Sequence, residues 1–226
     1  MCIVSRTALY VDGFNLYYGV FGKARASASA SYKWLDVAAV AAHVWPALAP
    51  IGRTRYFTAA VKANQRDFQT VVRQRAYLRA LRAVGVDVHL GTFKLRRKNV
   101  RLDGLPAPSA SSVQNVVLSA EAQIGKYDEK GSDVNLATYL IRDAAKNEYS
   151  AAIVISNDSD LVEPIRVARS DFGVAVYVIN PQKRAVAELS QAANGSRDVT
   201  LATLAACQLP PRLTDAAGTV VKPPEW

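Results

Sequence analysis

Two aspartates, Asp158 and Asp160, sit in the segment Ser156-Asn157-Asp158-Ser159-Asp160, directly after the apolar run Ala151-Ala152-Ile153-Val154-Ile155. Asp12 follows Ala8-Leu9-Tyr10-Val11 in the same way, and Asp133 lies in Glu129-Lys130-Gly131-Ser132-Asp133-Val134-Asn135. Carboxylates delivered to one place repel each other unless a proton or a cation intervenes. A hard divalent metal with oxygen ligands is the simplest resolution. Each acid also has a plainer role open to it. Asp12 can cap the helix that follows it, Asp133 can complement a helix dipole, and Asp160 with Glu163 has capping-box spacing.

The chemistry requires that separate elements deliver these acids to one point. Apolar runs and helical periods alternate along the chain. Strands are expected at Thr7 to Val11, Arg53 to Ala59, Val86 to Leu90, Ala151 to Ile155 and Val174 to Ile179, with a short edge strand at Val199 to Leu201. Helices are expected within Trp34 to Leu48, from Phe68 to Leu81 with Gly85 as its stop, and from Val134 to Ala145 with Ser132 as cap. Further helices precede Phe172-Gly173 and cover Arg184 to Ala193. Strands separated by helices imply parallel pairing with right-handed crossovers. A doubly wound order 3-2-1-4-5 sets the first and fourth strands side by side. Asp12 and Asp158 then share the crevice beyond their carboxyl ends.

Three stretches break the pattern. Gly22 to Ser31 reads as a mobile loop, and the tail Pro210 to Trp226 (residues 210–226) as proline-rich chain without regular structure. Residues 92–112 read as a basic ribbon or hairpin, carrying Lys94, Arg96, Arg97, Lys98 and Arg101, followed by a flexible loop at Pro106-Ala107-Pro108-Ser109.

Composition narrows the partners. The 226 residues suit one α/β domain, and half of them are hydrophobic. Lys and Arg number 28 against 19 Asp and Glu, a formal net charge of +9, which suits a polyanion around an acidic notch. Cys2 and Cys207 build no disulfide framework, so a reducing cytoplasm is the expected compartment. No apolar run is long enough to span a bilayer, and no membrane partner is expected.

The segments Tyr10-Val11-Asp12-Gly13-Phe14-Asn15-Leu16, Lys130-Gly131-Ser132-Asp133-Val134-Asn135-Leu136-Ala137 and Ile155-Ser156-Asn157-Asp158-Ser159-Asp160-Leu161-Val162-Glu163-Pro164 together resemble the NYN family of PIN-like nucleases, in its bacterial LabA-like branch. The similarity runs from about Thr7 to Leu209, so residues 1–209 are taken as one domain. It implies an α/β, PIN-like three-layer sandwich with a mainly parallel doubly wound sheet. By motif position it places Asp12, Asp133, Asp158 and Asp160 in an acidic pocket that binds metal and catalyses, with Asn15 beside the first of them. It is also compatible with a homodimer.

Given that resemblance, Mg2+ or Mn2+ is the expected cofactor, activating water for attack on a phosphodiester, with one ion or two left open. The expected partner is nucleic acid, single-stranded RNA in particular. Asn15, Asn157 and Lys130 would contact it near the acids, and Lys94, Arg96, Arg97 and Lys98 would hold its backbone. Arg66, Arg73, Arg75, Arg79 and Arg82 add positive charge on the helix before the ribbon. Tyr17, Tyr18 and Tyr32 are candidates for stacking on bases. No histidine accompanies the motifs, which argues against metal-free histidine chemistry. A non-catalytic nucleic-acid-binding module would keep the fold and the basic surface without the ion. A phosphatase using Asp12 as nucleophile would want a second aspartate two residues on, where Phe14 stands.

Overall fold

Strand β1 (Thr7–Asp12) is buried at every position, which requires cover on both faces of the sheet. It pairs in parallel with β2 (Ile51–Ala59) on one side and with β5 (Ala151–Ile155) on the other. The computed structural model describes residues 6–22, 30–61, 68–101, 121–182 and 184–226; at residue 30 and in 94–101 and 121–129 it describes the backbone. The sheet continues through β3 (Asp87–Arg101), β6 (Ala175–Asn180) and β7 (Gly195–Asp198), all parallel, and β4 (Glu121–Lys130) adds an antiparallel edge to β3. Its order is β4-β3-β2-β1-β5-β6-β7. The five expected core strands therefore stand in the expected order, and the winding reverses between β1 and β5.

Pleating sorts the side chains of each strand onto opposite faces. Leu9, Val11, Ile153 and Ile155 enter one core, where they meet α1 (Gly13–Phe21), α2 (Val37–Val44), α3 (Gln69–Ala83) and α7 (Leu201–Ala206). Ala8, Tyr10, Ala152 and Val154 enter the other, against α4 (Ser132–Ala145), α5 (Val162–Phe172) and α6 (Ala187–Ala192). Three layers result, as the alternation of strands and helices implies. Truncating a fully buried member such as Leu9 or Ile153 to alanine would cost about 2–5 kcal/mol.

Several expectations need correction. The helix within Trp34 to Leu48 starts later, because Asp36 accepts from the Ala38 and Ala39 amides and fixes the first turn there. The last parallel strand is Gly195–Asp198, since Thr200 caps α7 through the Thr203 amide and withdraws residues 200 and 201 from pairing. The tail is structured: β8 (Arg212–Asp215) and β9 (Gly218–Val221) form a hairpin. Gly218 takes φ +105° in its turn, a conformation that favours glycine. Arg79 on α3 holds this hairpin through both oxygens of Asp215 and the Gly218 carbonyl, so its charge is committed there.

The basic ribbon is the antiparallel β3–β4 pair, with Thr92 opposite Lys130 and Arg101 opposite Glu121. The side chains of Lys94, Arg96, Arg97, Lys98 and Arg101 lie outside the described residues. So do Arg66, most of the loop expected at Gly22 to Ser31, and the Pro106 to Ser109 loop.

Candidate metal centre

Asp12 ends β1 and serves as N-cap of α1. One of its carboxylate oxygens accepts the Asn15 amide at 2.9 Å, and the other accepts the Ser156 hydroxyl at 3.0 Å. Capping and a place in the crevice are thus compatible roles for one carboxylate. Asp158 stands just beyond β5 as cap of a 3-10 turn (Ser159–Leu161) and accepts the Asp160 amide. Asp133 occupies the first turn of α4, where the helix dipole favours it. Gly131, at φ +99°, makes the turn from β4 into that helix, so Ser132 is its first helical residue and not its cap.

One carboxylate oxygen from each of Asp12, Asp133 and Asp158 lies within 4.8 Å of the other two. Residues 12, 133 and 158 of the chain thus meet at one point, in the crevice where β1 and β5 part. Asp160 is not part of this group; it is exposed on the 3-10 turn, with its backbone serving Asp158. Burial pushes the Asp12 carboxyl up to about 7, and the neighbouring Asp133 and Asp158 charges add to that rise. The Asn15 amide and the Ser156 hydroxyl act in the opposite direction. Among the described residues, the groups that move it include no cation. An all-oxygen donor set of this kind, with a buried carboxyl held against ionisation, fits a hard divalent cation.

The asparagines tie the elements around the notch together. Asn15 accepts the Asn157 amide at 3.0 Å, which ties α1 to the loop after β5. The Asn157 side chain donates to Gln182 and to the Arg184 carbonyl, and accepts the Val186 amide. Its polar atoms are engaged within the protein, so it braces the crevice. Lys130 ends β4, exposed, three residues before Asp133. Sequence reasoning missed Ser156 and Gln182. A buried hydroxyl at a strand end beside an acid was the available signal for Ser156; nothing local marks Gln182.

A cavity of about 350 Å³ adjoins the notch, between α1, the end of β2 and α3. Gly13 and Tyr56 line it, and a Cβ placed on Gly13 would meet the Tyr56 ring at 2.6 Å. The residue following Asp12 therefore has to be glycine for the ring to pack. Tyr17 and Tyr18, 40% and 64% exposed, stand on its rim.

Residues 6–201 match the NYN domain family. The chain is 27% identical to 6-hydroxy-3-succinoylpyridine 3-monooxygenase HspA of Pseudomonas putida (strain DSM 28022 / S16), over 98% of this chain and 75% of that protein. A crystal structure of a protein of unknown function from Vibrio parahaemolyticus RIMD 2210633 superposes with a TM-score of 0.50 at 16% identity. That match covers 87% of this chain and 93% of the other, and it speaks for the fold. Among the described residues, no helix is long and apolar enough to cross a membrane.

Proposed function

Because the chain belongs to the NYN domain family, we propose that it is a metal-dependent ribonuclease of the cytoplasm that hydrolyses phosphodiester bonds in single-stranded RNA. The observation that carries this reading is the meeting of Asp12, Asp133 and Asp158 within 4.8 Å. These three would hold Mg2+ or Mn2+. Such an ion, when bound, supplies Lewis acidity that lowers the pKa of water and offsets charge on the phosphate. Ser156 keeps Asp12 turned into the crevice. Asn15 and Asn157 lock the loop that carries Asp158, which limits reorganisation during the reaction. The net charge of +9 draws the strand in, so binding should weaken as salt rises.

The test is cleavage of a labelled RNA oligonucleotide with manganese, with magnesium and with a chelator, using wild type and Asp158→Asn purified in parallel. Cutting that needs the ion and disappears in the variant is the expected result. Equal activity in the two proteins would end the reading, since both preparations carry the same contaminants.

A second reading comes from the Pseudomonas relative, named for oxygenation of a hydroxylated, succinoyl-bearing pyridine. The cavity beside the notch favours it, being of a size and lining suited to one such ring. Mass spectrometry after incubation of the protein with that compound, oxygen and a nicotinamide reductant would detect a hydroxylated product. An unaltered substrate would remove this reading.

A further inference from the structure

The cavity beside the carboxylates has walls that the metal reading does not use. We propose that it receives one unstacked nucleobase of the strand whose phosphate lies at Asp12, Asp133 and Asp158; this rests on the nuclease reading above.

Position is the first argument. Asp12 and Gly13 are consecutive, with Asp12 in the notch and Gly13 in the cavity wall. The Tyr56 ring packs directly against Gly13, so the two sites are neighbours across one turn of chain. In a nucleotide the base and its phosphate are likewise neighbours, joined through one sugar.

Wall chemistry is the second. Phe14, Tyr17, Tyr18, Tyr56, Tyr77 and Trp226 supply aromatic surface. Two of them, Tyr17 and Tyr18, are left partly open to water, with ring centroids 5.4 Å apart in an edge-to-face arrangement. Core packing does not account for a tyrosine that is 64% exposed at a cavity mouth. Aromatic faces of this kind bind bases by stacking, whatever the base.

Charge is the third. Among the described residues, the charged side chains that line the cavity are Lys33 and Arg73. The Lys33 ammonium donates to the Tyr17 hydroxyl at 3.2 Å and lies over the Tyr17 ring, which keeps it at the mouth. A polyanionic strand entering there meets positive charge at the rim and apolar faces within.

The polar groups deeper in the cavity are largely spent on the protein itself. Gln74 accepts the Val61 amide and donates to the Ala59 carbonyl, and the Tyr77 hydroxyl donates to the Leu35 carbonyl. They offer little for reading a base edge. The site is therefore tolerant of base identity and intolerant of base absence.

The test uses the full chain with Ca2+ in place of Mg2+ or Mn2+, a hard cation that the oxygen ligands can hold while cutting is kept low. A single 2-aminopurine is moved along a short RNA, and fluorescence is read on binding. One position should respond strongly, and an abasic residue there should weaken binding about 10-fold. Tyr18→Ala should show the same loss with intact RNA and little further loss with the abasic strand; its exposure makes misfolding a minor concern, and circular dichroism checks it. Equal affinity for intact and abasic strands at every position would overturn the proposal with wild-type protein alone. Competition by a small aromatic carboxylate, with no response from any oligonucleotide, would overturn it in favour of a small-molecule occupant. Because no cleavage is required, failure here and failure of the nuclease reading are distinguishable.

Discussion

Asp12 and Asp143 are both buried against the central sheet, and their surroundings are opposite. Asp143 on α4 receives the Arg55 guanidinium at 2.8 Å and the Tyr10 hydroxyl at 2.9 Å. Arg55 in turn lies 4.5 Å from the centre of the Tyr139 ring and within hydrogen-bonding distance of His89. Asp12 has a backbone amide, a hydroxyl and two more carboxylates around it. One buried acid is matched by a guanidinium inside the protein, while the other stands, among the described residues, beside two further carboxylates. Burial of an acid is therefore no sign of function. The sign is burial together with further acids, at a place where ligands reach the sheet.

Substitution separates the two regions. Asp133→Asn should reduce RNA cleavage to background, a loss on the order of 100-fold or more, with a change in thermal stability of at most about 1 kcal/mol, since relief of repulsion on Asp12 and loss of the helix-dipole interaction oppose each other. Cleavage assays beside calorimetric melting would show both effects. Arg55→Met should act on stability instead, costing about 3–5 kcal/mol in urea unfolding by stranding Asp143. Adding Asp143→Leu to it should recover much of that loss. A double variant no more stable than Arg55→Met would undo the comparison.

A smaller effect follows from protons. The Asp12 carboxyl is held up at about 7 in the folded chain against an ordinary value near 3.8. The folded state keeps a proton that the unfolded state has released, so this contribution is full below about 4 and fades as pH rises through 7. Metal-free protein should melt at falling temperature across that window. Manganese should restore the melting temperature most above pH 7, and a flat metal-free profile would contradict this. The smallest expected effect is at the boundary between notch and cavity. Gly13→Ala should cost about 1–3 kcal/mol by pressing a methyl group into the Tyr56 ring, read as a shift in the urea midpoint.

The central strands were legible because β1 and β5 are apolar at nearly every position, as only doubly covered strands are. The doubly wound order followed from alternation alone. Asp12 and Asp158 were legible as residues just past those strands. Asp133 was placed by motif resemblance, since a first-turn aspartate has an ordinary explanation in the helix dipole. Asp160 looked equivalent to Asp158, but it is exposed on the 3-10 turn and lies outside the group of three carboxylates. The Asn15–Asn157–Gln182 brace and the Arg55–Asp143 pair were not legible, because polar residues far apart in sequence carry no periodic signal. The closing hairpin was hidden by the prolines around it.

β1 pairs residue for residue with β5, and Thr7 lies opposite Ala151, 144 positions later. At about 5–20 residues per second, roughly 7–30 s of translation separate these two partners. Throughout that interval the nascent chain presents a strand with two apolar faces and one unsatisfied edge. Holdase chaperones at the ribosome exit would find a binding stretch there, and yield in a heterologous host should depend on them more than the finished molecule's packing suggests.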